Sequence, residues 1–123
     1  MKKKIGPRKR ILIVEDEPRI LRFMSIALVG SGYDIIPATR GDEVIDLVQS
    51  EKPDIVLLDI FLPGADGLEV LQELRTFSQL PVIVISARDS LGSNALELGA
   101  TGFLPKPFKP EQLAKKIRDI LGD

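Results

Sequence analysis

The sequence predicts an α/β domain built on a doubly wound, five-stranded parallel sheet flanked by five helices. Three observations predict it. Apolar runs of strand length alternate, five times over, with segments of helical period. The runs RILIV, DIVLLDI and VIVIS are near-continuous Ile, Val and Leu, as strands require when helices cover both sheet faces. The length, 123 residues, fits one domain that buries a core. Strand–helix alternation with right-handed crossovers then gives the doubly wound arrangement.

The elements follow in order. Arg10 to Val14 is the first strand, and it stops at Glu15-Asp16-Glu17-Pro18. Pro18 suits a first helical turn, after which Ile20, Leu21, Met24, Ala27 and Leu28 recur at helical spacing. Gly30 and Gly32 close that helix, and Tyr33 to Ala38 reads as the second strand. Asp42 to Gln49 is helical with Val44, Ile45 and Val48 inward, and Pro53 precedes a third strand, Asp54 to Ile60. After the loop LPGADG, a helix from Leu68 to Phe77 puts Val70, Leu71 and Leu74 on one face. Pro81 opens the fourth strand, which ends at Ser86. A weak helix over Ser90 to Leu98 ends at Gly99. Phe103-Leu104 is a short fifth strand that stops at Lys106-Pro107. Pro110 starts a last helix that buries Leu113, Ile117, Ile120 and Leu121.

Composition narrows the chemistry. Lys plus Arg number 17 against 18 Asp plus Glu, a net charge of −1 that gives no basis for nucleic-acid binding by the domain. With no cysteine and no histidine, thiolate and imidazole metal sites are excluded, and so is a histidine base. Any metal is held by oxygen, which favours Mg2+, Mn2+ or Ca2+. The start, MKKKIGPRKR, is basic, and no apolar stretch of signal-peptide or membrane-span length follows it. The expectation is a soluble, cytoplasmic domain over residues 10–123, preceded by a flexible basic tail over residues 1–9. That tail contains no aromatic residue to stack on bases.

In open parallel sheets, ligands bind outside the carboxyl ends of the strands. Here strand one delivers Glu15 and Asp16 to that rim, strand three Asp59, strand four Ser86 and strand five Lys106. Strand two delivers nothing charged. Taken singly, Glu15 or Asp16 reads as a helix cap, Ser86 as a turn residue and Lys106 as a solvated surface group. Asp59 differs, because it interrupts an otherwise apolar strand where an unpaired carboxylate is costly. Three gathered carboxylates raise one another's pKa unless a cation intervenes or one stays protonated. Mg2+ is the natural occupant of such an oxygen-only site. A metal beside an exposed carboxylate, with a hydroxyl and an ammonium nearby, suits phosphoryl transfer onto Asp59, with Lys106 neutralising phosphoryl oxygens.

With these residues assembled, the chain closely resembles the receiver domains of bacterial two-component response regulators. The resemblance covers Arg10 to Leu121 and rests on ILIVEDE, DIVLLDIFLPGADGLEVL, VIVISA and GATGFLPKPF. It implies a CheY-like, flavodoxin-like sheet of order 2-1-3-4-5. It implies that Asp59 is the phosphoryl acceptor and that Asp16, Asp59, Glu15 and the backbone carbonyl of Phe61 serve Mg2+. By the same resemblance Ser86 is the switch hydroxyl, Phe103 the switch aromatic and Lys106 the cation that bridges to the phosphoryl group. The Lys106-Pro107 bond is expected to be cis. The implied donor is a sensor histidine kinase or histidine phosphotransfer protein, and the implied reader a downstream effector protein or domain. Such a domain is not an enzyme with a separate substrate; it catalyses only its own phosphorylation and dephosphorylation.

The chain departs from the family pattern in places. From Ser86 to Lys106 it is slightly shorter than many transcription-factor receivers. Thr101-Gly102 stands where an acidic pair is common, so a dimer of the transcription-factor type is not expected. Gly92 costs the fourth helix about 1 kcal/mol relative to alanine, which suits a mobile segment. Two other classes fit less well. A phosphatase working through an aspartyl phosphate needs an acid two residues after the nucleophile, where Phe61 stands. A flavodoxin-like cofactor binder needs a phosphate loop after strand one, where EDEP repels anions.

Overall fold

The computed structural model describes residues 7–88 and 91–122, so residues 1–6 of the basic start lie outside the described residues. The elements are β1 (Arg10–Val14), α1 (Pro18–Gly30), β2 (Asp34–Ala38), a 3-10 turn (Gly41–Glu43), α2 (Val44–Glu51) and β3 (Ile55–Asp59). After these come α3 (Gly67–Arg75), β4 (Val82–Ser86), α4 (Gly92–Glu97), β5 (Gly102–Pro105) and α5 (Pro110–Leu121). The five strands form one sheet of order β2-β1-β3-β4-β5, and every pairing is parallel. This is the doubly wound fold that the alternation predicts.

Period two along the strands divides the core between the faces. Leu12, Val14, Val56, Leu58, Val82 and Val84 pack beneath α2, α3 and α4 with Val44, Val48, Val70, Leu71, Leu74 and Ala95. Ile11, Ile13, Ile55, Leu57, Ile83 and Ile85 pack beneath α1 and α5 with Met24, Leu28, Leu113 and Ile117. Burying this apolar surface supplies the main driving force for the fold, and it leaves the strand ends as the place where polar groups gather.

Local chemistry sets the ends of the elements. Pro18 and Pro110 occupy the first turns of α1 and α5. Asp66 caps α3, its side chain accepting from the Leu68 N–H at 2.8 Å. The differences from the expected boundaries have the same origin. β2 starts at Asp34 because the Tyr33 N–H is spent on Leu28 O, closing α1. β3 starts at Ile55 because the Asp54 side chain accepts from the Arg10 N–H at 2.8 Å. The segment expected as one helix from Asp42 opens as the 3-10 turn and continues as α2. α4 is shorter than expected, and Ser90, its expected first residue, lies outside the described residues. At the chain start, Arg8 bonds the carbonyls of Val29, Gly32 and Tyr33, and Asp34 N–H donates to Lys9 O. Among the described residues no helix is long and apolar enough to cross a membrane.

Candidate functional site

Parallel strands place all their carboxyl ends on one rim, so the residues that follow β1, β3, β4 and β5 meet there. Glu15 and Asp16 follow β1, Asp59 ends β3, Ser86 ends β4, and Lys106 follows β5. The register holds them level: Asp59 lies beside Ile85, Ser86 lies beside Pro105, and the Lys106 N–H donates to Ser86 O at 2.9 Å. The Lys106-Pro107 bond is cis, as expected.

Glu15, Asp59 and Ser86 are buried, at 2%, 6% and 1% exposure, whereas Asp16 is exposed. A carboxylate oxygen from each of Glu15, Asp16 and Asp59 lies within 4.8 Å of the other two. Lys106 Nζ donates to Asp59 Oδ2 at 2.7 Å and to Glu15 Oε1 at 3.1 Å. The remaining oxygens are held by backbone: the Phe61 N–H donates to Asp59 Oδ1 at 3.1 Å, and the Glu17 N–H to Glu15 Oε2 at 3.1 Å. Burial, and then the charge of Asp59, push the Glu15 carboxyl above the ordinary glutamate range, against the pull of the Glu17 N–H and Lys106. Burial pulls the Lys106 ammonium down, but the bonds to Asp59 and Glu15 outweigh it and hold its pKa above the usual lysine value. Lys106 is therefore a fixed positive charge.

Three carboxylates facing one ammonium leave the cluster with an excess of negative charge. All of its ligands are hard oxygens, and one of them, Asp16, is open to water. This donor set fits a divalent cation of the Mg2+ type, which retains waters and takes a few protein carboxylates.

The other predicted residues sit around this cluster. Ser86 Oγ accepts from the Arg88 N–H at 3.0 Å. Phe103 is half-buried on the α4 side of the sheet, two residues before the position that flanks Ser86. Phe61 keeps its backbone at Asp59 while its ring is 55% exposed, with the Arg88 guanidinium 5.3 Å from the ring centre.

Sequence reasoning missed several contributors. It paired Lys106 with a phosphoryl group and not with Glu15, 91 residues away. It also missed the bracing N–H groups of Glu17 and Phe61, and the Arg88–Phe61 contact. Gly67 was readable in principle as the glycine that opens α3. A Cβ there would stand 2.6 Å from Asp59 O and 2.7 Å from Ile60 Cα, so only glycine lets α3 begin against the end of β3.

The sequence profile of the response regulator receiver domain matches residues 11–118. The chain belongs to that family. As a receiver domain it is a component of two-component signalling. Solved structures agree with this assignment. The BeF3-activated N-terminal receiver domain of RstA from Klebsiella pneumoniae is 32% identical, with a TM-score of 0.88, and 94% of this chain aligns with 100% of that one. A putative response regulator from Chloroflexus aurantiacus is 28% identical, with a TM-score of 0.90, over 95% of this chain and 100% of the other. A CheY-like receiver domain protein from Methanospirillum hungatei is 31% identical, with a TM-score of 0.87, over 94% and 95% of the two chains. In NtrX from Brucella abortus, at 30% identity and a TM-score of 0.85, 94% of this receiver corresponds to 27% of a longer chain.

Proposed function

We propose that this receiver is a phosphorylation-activated switch of a two-component phosphorelay, with Asp59 as its phosphoryl acceptor. The observation that carries the reading is the placement of Asp59, a buried carboxylate 2.7 Å from Lys106 Nζ and inside the acidic cluster with Glu15 and Asp16. Glu15, Asp16, Asp59 and the Phe61 carbonyl are the groups that would hold Mg2+. When bound, the ion supplies positive charge against both the carboxylates and the phosphoryl oxygens.

The donor is a phosphohistidine of a sensor histidine kinase or phosphotransfer protein, since this chain has no histidine of its own. An Asp59 carboxylate oxygen attacks phosphorus; the O–P bond forms as the P–N bond breaks, and the bonding pair returns to the imidazole nitrogen. Lys106 offsets the charge on a phosphoryl oxygen, and the bracing N–H of Phe61 keeps the carboxylate oriented. The product adds charge and strong acceptors at the rim. Ser86 then turns its hydroxyl from Arg88 to the phosphoryl group, Phe103 repacks behind it, and the surface read by a downstream effector changes. The shift is one of population, limited by the differential contacts of the phosphoryl group with the two packings.

On this reading the domain catalyses only its own phosphorylation and dephosphorylation. It works in the cytoplasm without itself binding nucleic acid or membrane. Incubation with acetyl phosphate and Mg2+ is expected to add one phosphoryl mass to the intact protein. EDTA should suppress the adduct, and Asp59→Asn should abolish it. A BeF3 adduct should occupy the same residue. No adduct, or one indifferent to Asp59→Asn, would overturn the reading.

A further inference from the structure

β2 brings none of the site residues to the rim, yet the turn after it touches the loop that follows Asp59. The β3–α3 loop, residues 60–66, carries Phe61, whose N–H holds Asp59 Oδ1. At mid-loop the Gly41 N–H donates to Pro63 O at 2.9 Å. Gly64 has φ +90 and lies directly against the Arg40–Asp42 ion pair. A Cβ on residue 64 would stand 2.7 Å from Asp42 Oδ1 and 2.9 Å from Arg40 Nη2. Gly41 is equally tight: a Cβ there would stand 2.7 Å from Ala65 O.

The turn is itself stiff. Arg40 grips Asp42 with two bonds, at 3.0 and 3.1 Å, and Glu43 Oε1 accepts from the N–H groups of Thr39 and Arg40. At the far end of the loop, the Gly67 N–H donates to Ile60 O at 2.9 Å. The loop is thus pinned at its exit by Gly67 and at its middle by the turn after β2. Phe61 lies between Ile60 and Pro63, the two loop residues whose carbonyls are held, which restricts its backbone.

We propose that the Arg40–Glu43 turn is a brace that fixes the Phe61 backbone at the acidic cluster, and that Asp42, Gly41 and Gly64 are positioning residues for the cation there. The inference rests on the Mg2+ reading given above, with Phe61 supplying its carbonyl. Its physical content is steric. The exposed Arg40–Asp42 pair contributes little to stability as an ion pair, since both side chains are about half exposed. Its role is local: the φ of +90 at residue 64 already favours glycine, and the ends of Arg40 and Asp42 fill the space beside it, whereas at Gly41 a Cβ would meet the backbone of Ala65.

The test is Mg2+ binding to the full chain by titration calorimetry, with the Phe61 amide resonance followed in the metal-free protein. Gly64→Ala is expected to weaken Mg2+ binding about tenfold, the scale on which outer-shell groups act on metal affinity, and to shift the Phe61 amide. Asp42→Ala tests the same brace at a half-exposed side chain; it should weaken binding less, with thermal unfolding unchanged. In Asp42→Ala/Gly64→Ala the Asp42 part of the collision is removed while the Arg40 Nη2 contact and the φ strain at residue 64 remain, so affinity should recover in part above that of Gly64→Ala alone. Gly30→Ala, where an added Cβ meets nothing within 4 Å, should bind as wild type. If wild type binds Mg2+ and both single variants bind equally well, the brace is overturned while the metal reading stands. If wild type does not bind, the metal reading itself falls.

Discussion

The ring of Phe103 lies directly against Gly92, so closely that a Cβ on residue 92 would come within 3.0 Å of Cδ2 and 3.3 Å of Cε2. Taken by itself, Gly92 is a weak point in a short helix. Beside Phe103 it is the opening that lets the ring fit under α4. Any repacking of Phe103 on phosphorylation therefore acts first on the start of α4.

That contact makes an opposed pair of expectations. Gly92 is the first residue of α4, not an interior one, so helix propensity alone predicts that Gly92→Ala stabilises by less than the about 1 kcal/mol of a helix interior. The Phe103 contact predicts that the gain is cancelled or reversed by overpacking, which costs about 1–3 kcal/mol. In a Phe103→Ala background the gain should reappear. Urea denaturation of the four proteins in this cycle measures it, and a full gain in the wild-type background would show that the ring does not constrain α4.

Divalent metal should stabilise the fold by linkage. A ligand that binds only the native state contributes about 1.4 kcal/mol at ten times its Kd. Mg2+ is expected to raise the melting temperature of wild type and to lose that effect in Asp16→Ala and Asp59→Asn. Thermal melts with and without EDTA check it.

Arg75 ties α3 to the end of α4. Its Nε donates to Gly99 O at 2.9 Å and its Nη1 to Ser78 O at 3.2 Å, while burial pulls its pKa below the ordinary arginine value. Arg75→Met keeps much of the packing but leaves both carbonyls without this donor, at a cost of about 1–3 kcal/mol. Amide hydrogen exchange at Gly99 to Thr101 should accelerate, and unchanged protection there would argue against the tie.

The Arg88 guanidinium and the Phe61 ring join the β4–α4 and β3–α3 loops across the rim. A cation–π contact at an exposed site is worth about 0.5–1 kcal/mol. A double-mutant cycle of Arg88→Ala and Phe61→Ala should return a coupling of that size, and additive losses would mean that the two side chains are neighbours only.

Much of the molecule is legible along the chain. Val, Ile and Leu runs broken by helical-period segments determine a parallel sheet covered on both faces. An aspartate at the end of such a run, after the apolar DIVLL, stands out because burying a charge there needs a partner. Once the strands are parallel, Glu15, Asp16, Asp59, Ser86 and Lys106 all reach the same rim, whatever the details of packing. This follows from period and order, which a linear sequence carries.

The tertiary structure alone decided how those groups are paired and held. That Lys106 grips Glu15 as well as Asp59, that Phe103 needs a glycine at 92, and that Gly64 sits against the Arg40–Asp42 pair all depend on approaches of about 3 Å between segments far apart in the chain. Such approaches are set by backbone paths at sub-ångström scale, and a shift of one carbon atom changes them from contact to collision. Hydrophobic period determines which side of the sheet a residue faces; only the packed fold determines which neighbour it meets there.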